Sequence, residues 1–375
     1  MYMGNSKITW SETDRQYMQE AISLAELGRG HTSPNPLVGC VIVKDSRTIG
    51  RGYHQRYGGL HAEREALAAC SEDPAGATAY VSLEPCCHHG KQPPCTDALL
   101  EAGISRVVVG LTDPNPLVCG KGMAILREAG VAVEAGLMED VIREQNRIFL
   151  KYITQKRPWV TMKVAMTLDG KIACSNGDSR WVSSEASRSF VQELRGYHSG
   201  ICVGAGTVRA DDPMLDCRME GLDNPVRILP DSKASLPTDS RIARSASSIR
   251  TIVAHCDSAP ADRLAKLREL GVETLCCPSL DGRPDPDALL SLLGGLRIDS
   301  ILLEGGEELN GSFVARDLVD EYYIFVAPKI LGGRDSKTAV GGPGFSRMAD
   351  ARQISIESVR QLGPDILIHG YRKEK

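Results

Sequence analysis

Three potential metal ligands and an acid stand out among the 375 residues: His61-Ala62-Glu63, then Glu84-Pro85-Cys86, then Cys95. Zn²⁺ at a catalytic site takes three protein ligands, often mixing imidazole and thiolate, and leaves a fourth position to water. Two thiolates and one imidazole suit that borderline-soft ion. Glu63 stands two positions beyond His61, so it need not bind the metal and can reach a water held there. Together these residues describe hydrolysis at an amidine-like carbon: water attacks, and the carboxylate carries the proton to the ring nitrogen and the departing ammonia.

This is the arrangement of zinc nucleobase deaminases, with one departure. The commonest spacing there is Pro-Cys-x-x-Cys, whereas eight residues, CHHGKQPP, separate Cys86 from Cys95 here. Cys87, His88 and His89 are therefore rival ligands. Cys87, next to Cys86, cannot easily reach the same ion without backbone strain; His88 and His89 either meet substrate or are loop residues. A closed structural zinc knuckle is the alternative reading of the cluster. The chain has 12 cysteines, too few for a disulfide scaffold. Cys40, Cys202 and the pair Cys276–Cys277 at a strand end read as buried small hydrophobes.

These groups need elements to hold them. Residues 11–27 read as an amphipathic helix, with Ser11 and Asp14 at capping-box spacing and Met18, Ala21, Ile22 and Ala25 on one stripe. SPNPLVGCVIVKD reads as a turn into a strand, with IGRGYH as its hairpin partner. Helices over 62–70, 96–102 and 122–129 alternate with strands over 79–83 and 107–111, which argues for an α/β layered domain. Cys95 directly precedes one of these helices, where a thiol ionises more easily. The pattern restarts near residue 150, so two domains are expected, 1–150 and 151–375. In the second, strands are expected at 200–203, 226–229, 251–254, 300–303 and 322–326, with helices at 185–194, 261–270 and 287–293. Gly204-x-Gly206 follows a strand, but Arg209 stands where a Rossmann fingerprint wants a third Gly. Gly305-Gly306, between a strand and a helix, is the better phosphate cradle.

Composition bounds the partners. At 42% hydrophobic and 25% charged, with net charge −4, the chain is neither disordered nor collagen-like. It has no net basic field for a duplex or an anionic membrane, and five Phe argue against an aromatic-lined nucleic-acid channel. No run of 18 apolar residues occurs, and the N-terminus lacks the apolar core of a signal peptide. The expectation is a cytoplasmic protein acting on a small molecule.

The stretches SPNPLVG (33–39), GYHQRYGGLHAE (52–63), LEPCCHHGKQPPC (83–95) and DPNPLVCGKG (113–122) closely resemble the bifunctional riboflavin-biosynthesis deaminase–reductase of bacteria. The resemblance continues through MTLDGKIA (166–173), GDSRWVSS (177–184), GAGTVRADDPML (204–215), LEGGEELNGSF (303–313) and VAPKILGG (326–333). It implies a cytidine-deaminase-like α/β/α domain followed by a dihydrofolate-reductase-like α/β domain. The first would deaminate 2,5-diamino-6-ribosylamino-4-pyrimidinone 5′-phosphate with zinc. The second would use NADPH to reduce the ribosyl group to ribityl.

By motif, the resemblance makes His61, Cys86 and Cys95 the zinc ligands, Glu63 the proton shuttle and Asn35 a pyrimidine contact. It gives cofactor contacts at Ala165, Trp181, Thr207, Asp211, Ser232 and the run Gly306, Glu307, Glu308, Leu309, Asn310, Gly311 and Ser312. Substrate contacts fall at Lys163, Ser179, Arg195, Leu215, Arg218 and Glu304. Arg195 and Arg218 offer guanidinium forks for a 5′-phosphate. The family usually carries Ser where this chain has Cys87, and its members tend to form dimers or tetramers.

Overall fold

The structure, a computed structural model, describes residues 9–373. The chain divides into two compact units, Met1–Gln155 and Lys156–Lys375.

The first unit is built on a five-stranded sheet in the order Arg47–Tyr53, Gly39–Lys44, Thr78–Leu83, Arg106–Leu111, Ala132–Ala135. The first two strands form an antiparallel hairpin, and the last three run parallel. Side chains alternate across a pleated strand, and here both faces are buried. Cys40, Ile42, Val81, Val107 and Val109 pack under Ala62, Ala66, Leu99 and Leu126 of one helical layer. Val41, Val43, Tyr80 and Val108 meet Met18, Ile22, Ile142 and Phe149 of the other. The helix expected at 11–27 spans Glu12–Glu26, and Ser11 and Asp14 form its capping box. The strand Ala132–Ala135 and the helices Glu139–Gln145 and Arg147–Gln155 were not expected.

Two glycines let the helices come close enough to shape a site. A Cβ at Gly52 would lie 2.2 Å from Ala66 N and 2.4 Å from Ala62 O. Only a residue without one lets the helix Ala62–Ala68 lie on the hairpin. At Gly122 a Cβ would lie 2.2 Å from Pro85 O, so the start of the helix Lys121–Glu128 abuts the Pro85-Cys86 turn.

The second unit has a nine-stranded sheet. Its order is Glu273–Cys276, Thr251–His255, Val226–Pro230, Gly200–Cys202, Ser300–Leu303, Trp159–Thr167, Glu321–Ala327, Asp365–Arg372, Ile354–Leu362. Strands from Glu273–Cys276 through Glu321–Ala327 pair in parallel; the last two form an antiparallel hairpin. One face buries Val160, Ile228, Ile252 and Ile301 under Leu289, Leu293 and Phe313. The other buries Ile201, Leu229 and Val253 with Val208, Ile242 and Leu267. Cys277, just past the end of the strand Glu273–Cys276, is buried but Cys276 is exposed; the pair is not buried together as expected.

The strand Gly200–Cys202 leads on to Val226–Pro230 on one side, while Ser300–Leu303 leads to Glu321–Ala327 on the other. Chain directions therefore diverge between these neighbours, which opens a crevice at their carboxyl ends. Gly204 and the Gly305-Gly306 pair stand at its two rims.

Candidate active site

In the first unit the ligands come from three elements. His61 is the N-cap of the helix Ala62–Ala68, in extended backbone. Cys86 follows the strand Thr78–Leu83, and Cys95 opens the helix Cys95–Glu101. His61 Nδ1 lies 3.4 Å from Cys86 Sγ and 3.3 Å from Cys95 Sγ, and the three ligand atoms all fall within 4.8 Å of one another. Zinc bonded tetrahedrally to sulfur and nitrogen would set such neighbours about 3.5 Å apart, so the donor set fits that ion. Cys87 turns away towards Leu117 O, 3.8 Å off; His88 is half-buried and His89 exposed. None of these three belongs to the convergent group.

The electrostatics follow from crowding two thiols and an imidazole. Cys86 is drawn down to about 4 by its hydrogen bond with Cys95, against burial, with His61 adding to the effect. Cys95 is pushed up by the same bond and by burial. Glu63 is 3% exposed, and burial, then the Cys86 charge, raises its pKa. A carboxyl raised in this way is suited to exchanging protons nearer neutral pH.

Two residues whose roles the sequence did not disclose complete this site. Buried His54 places Nδ1 2.9 Å from Leu60 O and Nε2 3.1 Å from Asn35 Nδ2. With Nδ1–H donating to that carbonyl, Nε2 accepts from the Asn35 amide and leaves Asn35 Oδ1 free to face a ligand. Glu84, 4% exposed, accepts backbone N–H groups from Asp113, Gly120, Gly122 and Met123 at 2.9–3.3 Å. It thereby fastens the 113–122 segment beside Cys86. Asp113 next to it is pushed up to about 6 by burial. Both lie in motifs visible in the sequence; the signal was a polar residue in an otherwise apolar or Gly/Pro-rich run.

In the second unit, Lys163, Arg195 and Glu304 come together. Arg195 forks onto Glu304 at 2.7 and 3.2 Å, and Lys163 Nζ lies 3.3 Å from the same carboxylate. Burial would raise Glu304, but Arg195 and then Lys163 pull it down to about 2. The Arg195 fork expected for a phosphate is therefore closed on Glu304, and its remaining nitrogen holds Asp216 O at 3.1 Å. Arg218 is different: its side chain is 68% exposed and only 3.7 Å from Asp216 at the nearest.

Around the crevice, a Cβ at Gly306 would lie 3.6 Å from Thr207 Oγ1. The helix Ala205–Asp211 and the helix Glu307–Ala315 thus start face to face. A Cβ at Gly305 would meet Asn310 Oδ1 at 2.5 Å, and that oxygen is buried with no hydrogen-bond partner. A Gly-lined gap at a helix N-terminus suits a phosphate held by backbone N–H groups, and the orphaned Asn310 Oδ1 can accept from a hydroxyl or amide donor of a cofactor. Several side chains of the 306–312 run have other partners: Glu307 bonds Lys337 and Thr338, Glu308 meets Arg283, Asn310 donates to Ala339 O and Ser312 to Leu309 O. The segment offers chiefly its opening N–H groups. Trp181 is 63% exposed with the Arg188 guanidinium 4.6 Å above its ring. Ser179 and Ser232 are half-buried. Asp211 gives its carbonyl to Arg180, and Ala165 lies on the same strand as Lys163. Asp169 accepts Leu331 and Gly332 N–H.

Comparison with known proteins finds a match for each unit. The cytidine and deoxycytidylate deaminase zinc-binding region matches residues 11–111, and the RibD C-terminal domain matches 158–368. Riboflavin biosynthesis protein RibD of Actinobacillus pleuropneumoniae is 47% identical over 356 residues, 95% of this chain and 94% of that protein. The Escherichia coli K12 protein of that name is 40% identical over 95% of this chain and 98% of its own length. Acinetobacter baumannii RibD, form 1, superposes with a TM-score of 0.88 at 38% identity, covering 97% of this chain and 99% of that one. A Thermotoga maritima diaminohydroxyphosphoribosylaminopyrimidine deaminase/5-amino-6-(5-phosphoribosylamino)uracil reductase gives 0.85 at 36%, over 96% and 99%. The first unit is a cytidine-deaminase-like α/β/α domain and the second a dihydrofolate-reductase-like α/β domain. The chain belongs to the RibD family, bifunctional enzymes whose deaminase and reductase domains carry out two consecutive steps of riboflavin biosynthesis.

Proposed function

We propose that His61, Cys86 and Cys95 hold one Zn²⁺ and that Glu63 is the proton shuttle in deamination of 2,5-diamino-6-ribosylamino-4-pyrimidinone 5′-phosphate. The second unit then uses NADPH to reduce the ribosyl group of the product to ribityl. The observation that carries the reading is the 3.3–3.4 Å spacing of His61 Nδ1 from both sulfurs, with a buried carboxyl of raised pKa next to them. Zinc, when bound, supplies a Lewis acid that makes water acidic near neutral pH. Glu63 takes a proton from the attacking water and gives it to the ring nitrogen, then passes the proton of the new hydroxyl to the departing ammonia. Asn35, held by His54, aligns the pyrimidine through its free Oδ1. Glu84 keeps the 113–122 segment closed beside Cys86.

In the second unit NADPH, when bound, supplies the two electrons of the reduction. Thr207, Gly306 and the opening of the helix Glu307–Ala315 receive its phosphates, and exposed Trp181 offers a flat face to a ring. Lys163, Arg195 and Glu304 leave one net positive charge for an anionic substrate. Arg195 acts by orienting Glu304, and Arg218 is the fork left for the 5′-phosphate. Ser179 and Leu215 complete the substrate contacts, and Ala165, Asp211 and Ser232 those of the cofactor.

All twelve cysteines are free thiols in the structure, which suits the reducing cytoplasm. No helix among the described residues is long and apolar enough to cross a membrane. The enzyme is expected to work there as a homo-oligomer, a dimer or a tetramer, which light scattering would measure. Metal analysis should give one zinc per chain. Chelation should abolish the ultraviolet change of deamination while NADPH oxidation on pre-deaminated substrate continues. If that substrate never causes NADPH to be consumed, the second unit is a non-reducing module and this reading fails.

A further inference from the structure

The largest fully buried side chain among the described residues is a cation, Arg227, with 0% exposure. Its five N–H groups find five acceptors. Nε donates to Thr251 Oγ1 at 2.9 Å, and Nη1 to Met214 O at 3.2 Å and Ser245 Oγ at 2.8 Å. Nη2 donates to Ile242 O at 3.1 Å and Ile249 O at 2.9 Å. All five are neutral. Burying a charge without a paired carboxylate is costly, and burial brings this guanidinium down to about 10. An apolar side chain would fill the same space without that cost. What the guanidinium alone supplies is a rigid fork that fixes five oxygens at once.

Four of the five lie within residues 242–251, and the fifth is on a separate loop. Met214 O belongs to the loop after the helix Ala205–Asp211, and the next residue, Leu215, is 3% exposed with φ +53°. A leucine in the left-handed region is strained by about 1–2 kcal/mol and persists only where its surroundings over-determine it. Here two arginines grip the carbonyls on either side: Arg227 holds Met214 O and Arg195 holds Asp216 O. One further bond pins the same loop, Arg241 N–H to Asp212 Oδ1 at 2.8 Å; Ser245 Oγ, which donates to Arg241 O at 2.6 Å, packs 3.7 Å from Met214 Sδ. Arg195 is also the residue that orients Glu304.

We propose that Arg227 is a positioning residue for the reductase substrate: through the Met214 carbonyl it keeps Leu215 in its left-handed conformation and presents the loop 212–218 to the Lys163–Arg195–Glu304 cluster. The inference rests on the reading of that cluster as the pyrimidine site.

Arg227→Lys is the direct test, because an ammonium has three donors and no planar fork. Losing a charge-assisted bond to the loop should raise KM for the deaminated pyrimidine phosphate about tenfold. KM for NADPH, reductase kcat and the deaminase activity of the same protein should each stay within about twofold. A lower Tm with no selective rise in that KM, or an equal rise in both KM values, overturns the proposal. If the variant loses its folded reductase unit, judged by NADPH binding, Ser245→Ala decides. It keeps the guanidinium but removes one acceptor of Nη1 and the oxygen packed against Met214 Sδ. A rise of about threefold confined to the pyrimidine KM supports the role, and an unchanged value overturns it. A wild-type enzyme that fails to reduce the pyrimidine would overturn the underlying reading instead.

Discussion

Replacing Glu304 by Gln removes a negative charge from between two cations while keeping the shape of the side chain. In the native protein the carboxylate is 10% exposed and faces Arg195 at 2.7 Å and Lys163 at 3.3 Å. These partners overcome burial and lower its pKa from 4.5 to about 2. At about 1.4 kcal/mol per tenfold change, that fall corresponds to roughly 3 kcal/mol of stability at pH 7. The sign is that of a depressed carboxyl: the contribution is complete above pH 4.5 and fades as pH drops towards 2. For a unit of this size, roughly 3 kcal/mol is a Tm loss of about 6–12 °C. The assay is thermal unfolding of wild type and Glu304→Gln, followed by a reductase-unit signal such as NADPH binding, from pH 7 down to pH 3. The gap should be widest at neutral pH, and by pH 3 more than about half of it should be gone. A variant as stable as wild type at pH 7 would refute the reasoning. So would a gap that stays constant across the range, which would point to lost packing instead of lost charge.

Glu63→Gln should keep zinc at wild-type stoichiometry while deamination falls by about 10²–10⁴; loss of the metal would contradict the shuttle role. Arg218→Ala should raise KM for the pyrimidine phosphate more than KM for NADPH, and equal changes would count against a phosphate contact. Gly52→Ala pushes a Cβ to 2.2 Å from Ala66 N, so it should cost about 1–3 kcal/mol. Because the displaced helix starts at His61 and Glu63, deaminase activity should drop while NADPH oxidation on pre-deaminated substrate stays unchanged.

Much of the first unit was legible because its signals are local. Ser11 and Asp14 announce a helix within one turn, and both 40/42 and 41/43 are apolar because both faces of that strand are covered. The ligand order His61, Cys86, Cys95 could be read, whereas convergence to 4.8 Å requires the fold. What escaped depends on distant partners or weak periodicity. The strand Ile354–Leu362 is exposed over nearly its whole length, and its alternation breaks after Glu357 at a bulge. Arg195 looks like a free phosphate fork until Glu304, 109 positions later, closes it. Glu84 reads as an ordinary polar residue because its partners are backbone groups, and His54 because it bonds a backbone carbonyl and the amide of Asn35, 19 positions away. Arg227 reads as a surface arginine, since nothing in NPVRILP says that five oxygens wait around it.

Each hydrophobic cluster draws all its members from one side of the Gln155/Lys156 division. Among the described residues, each of these clusters is complete within its own unit. A gene truncated at that junction should therefore give a soluble, self-sufficient product from either piece. Nature and the engineer alike are free to fuse, separate or exchange these catalysts as whole modules.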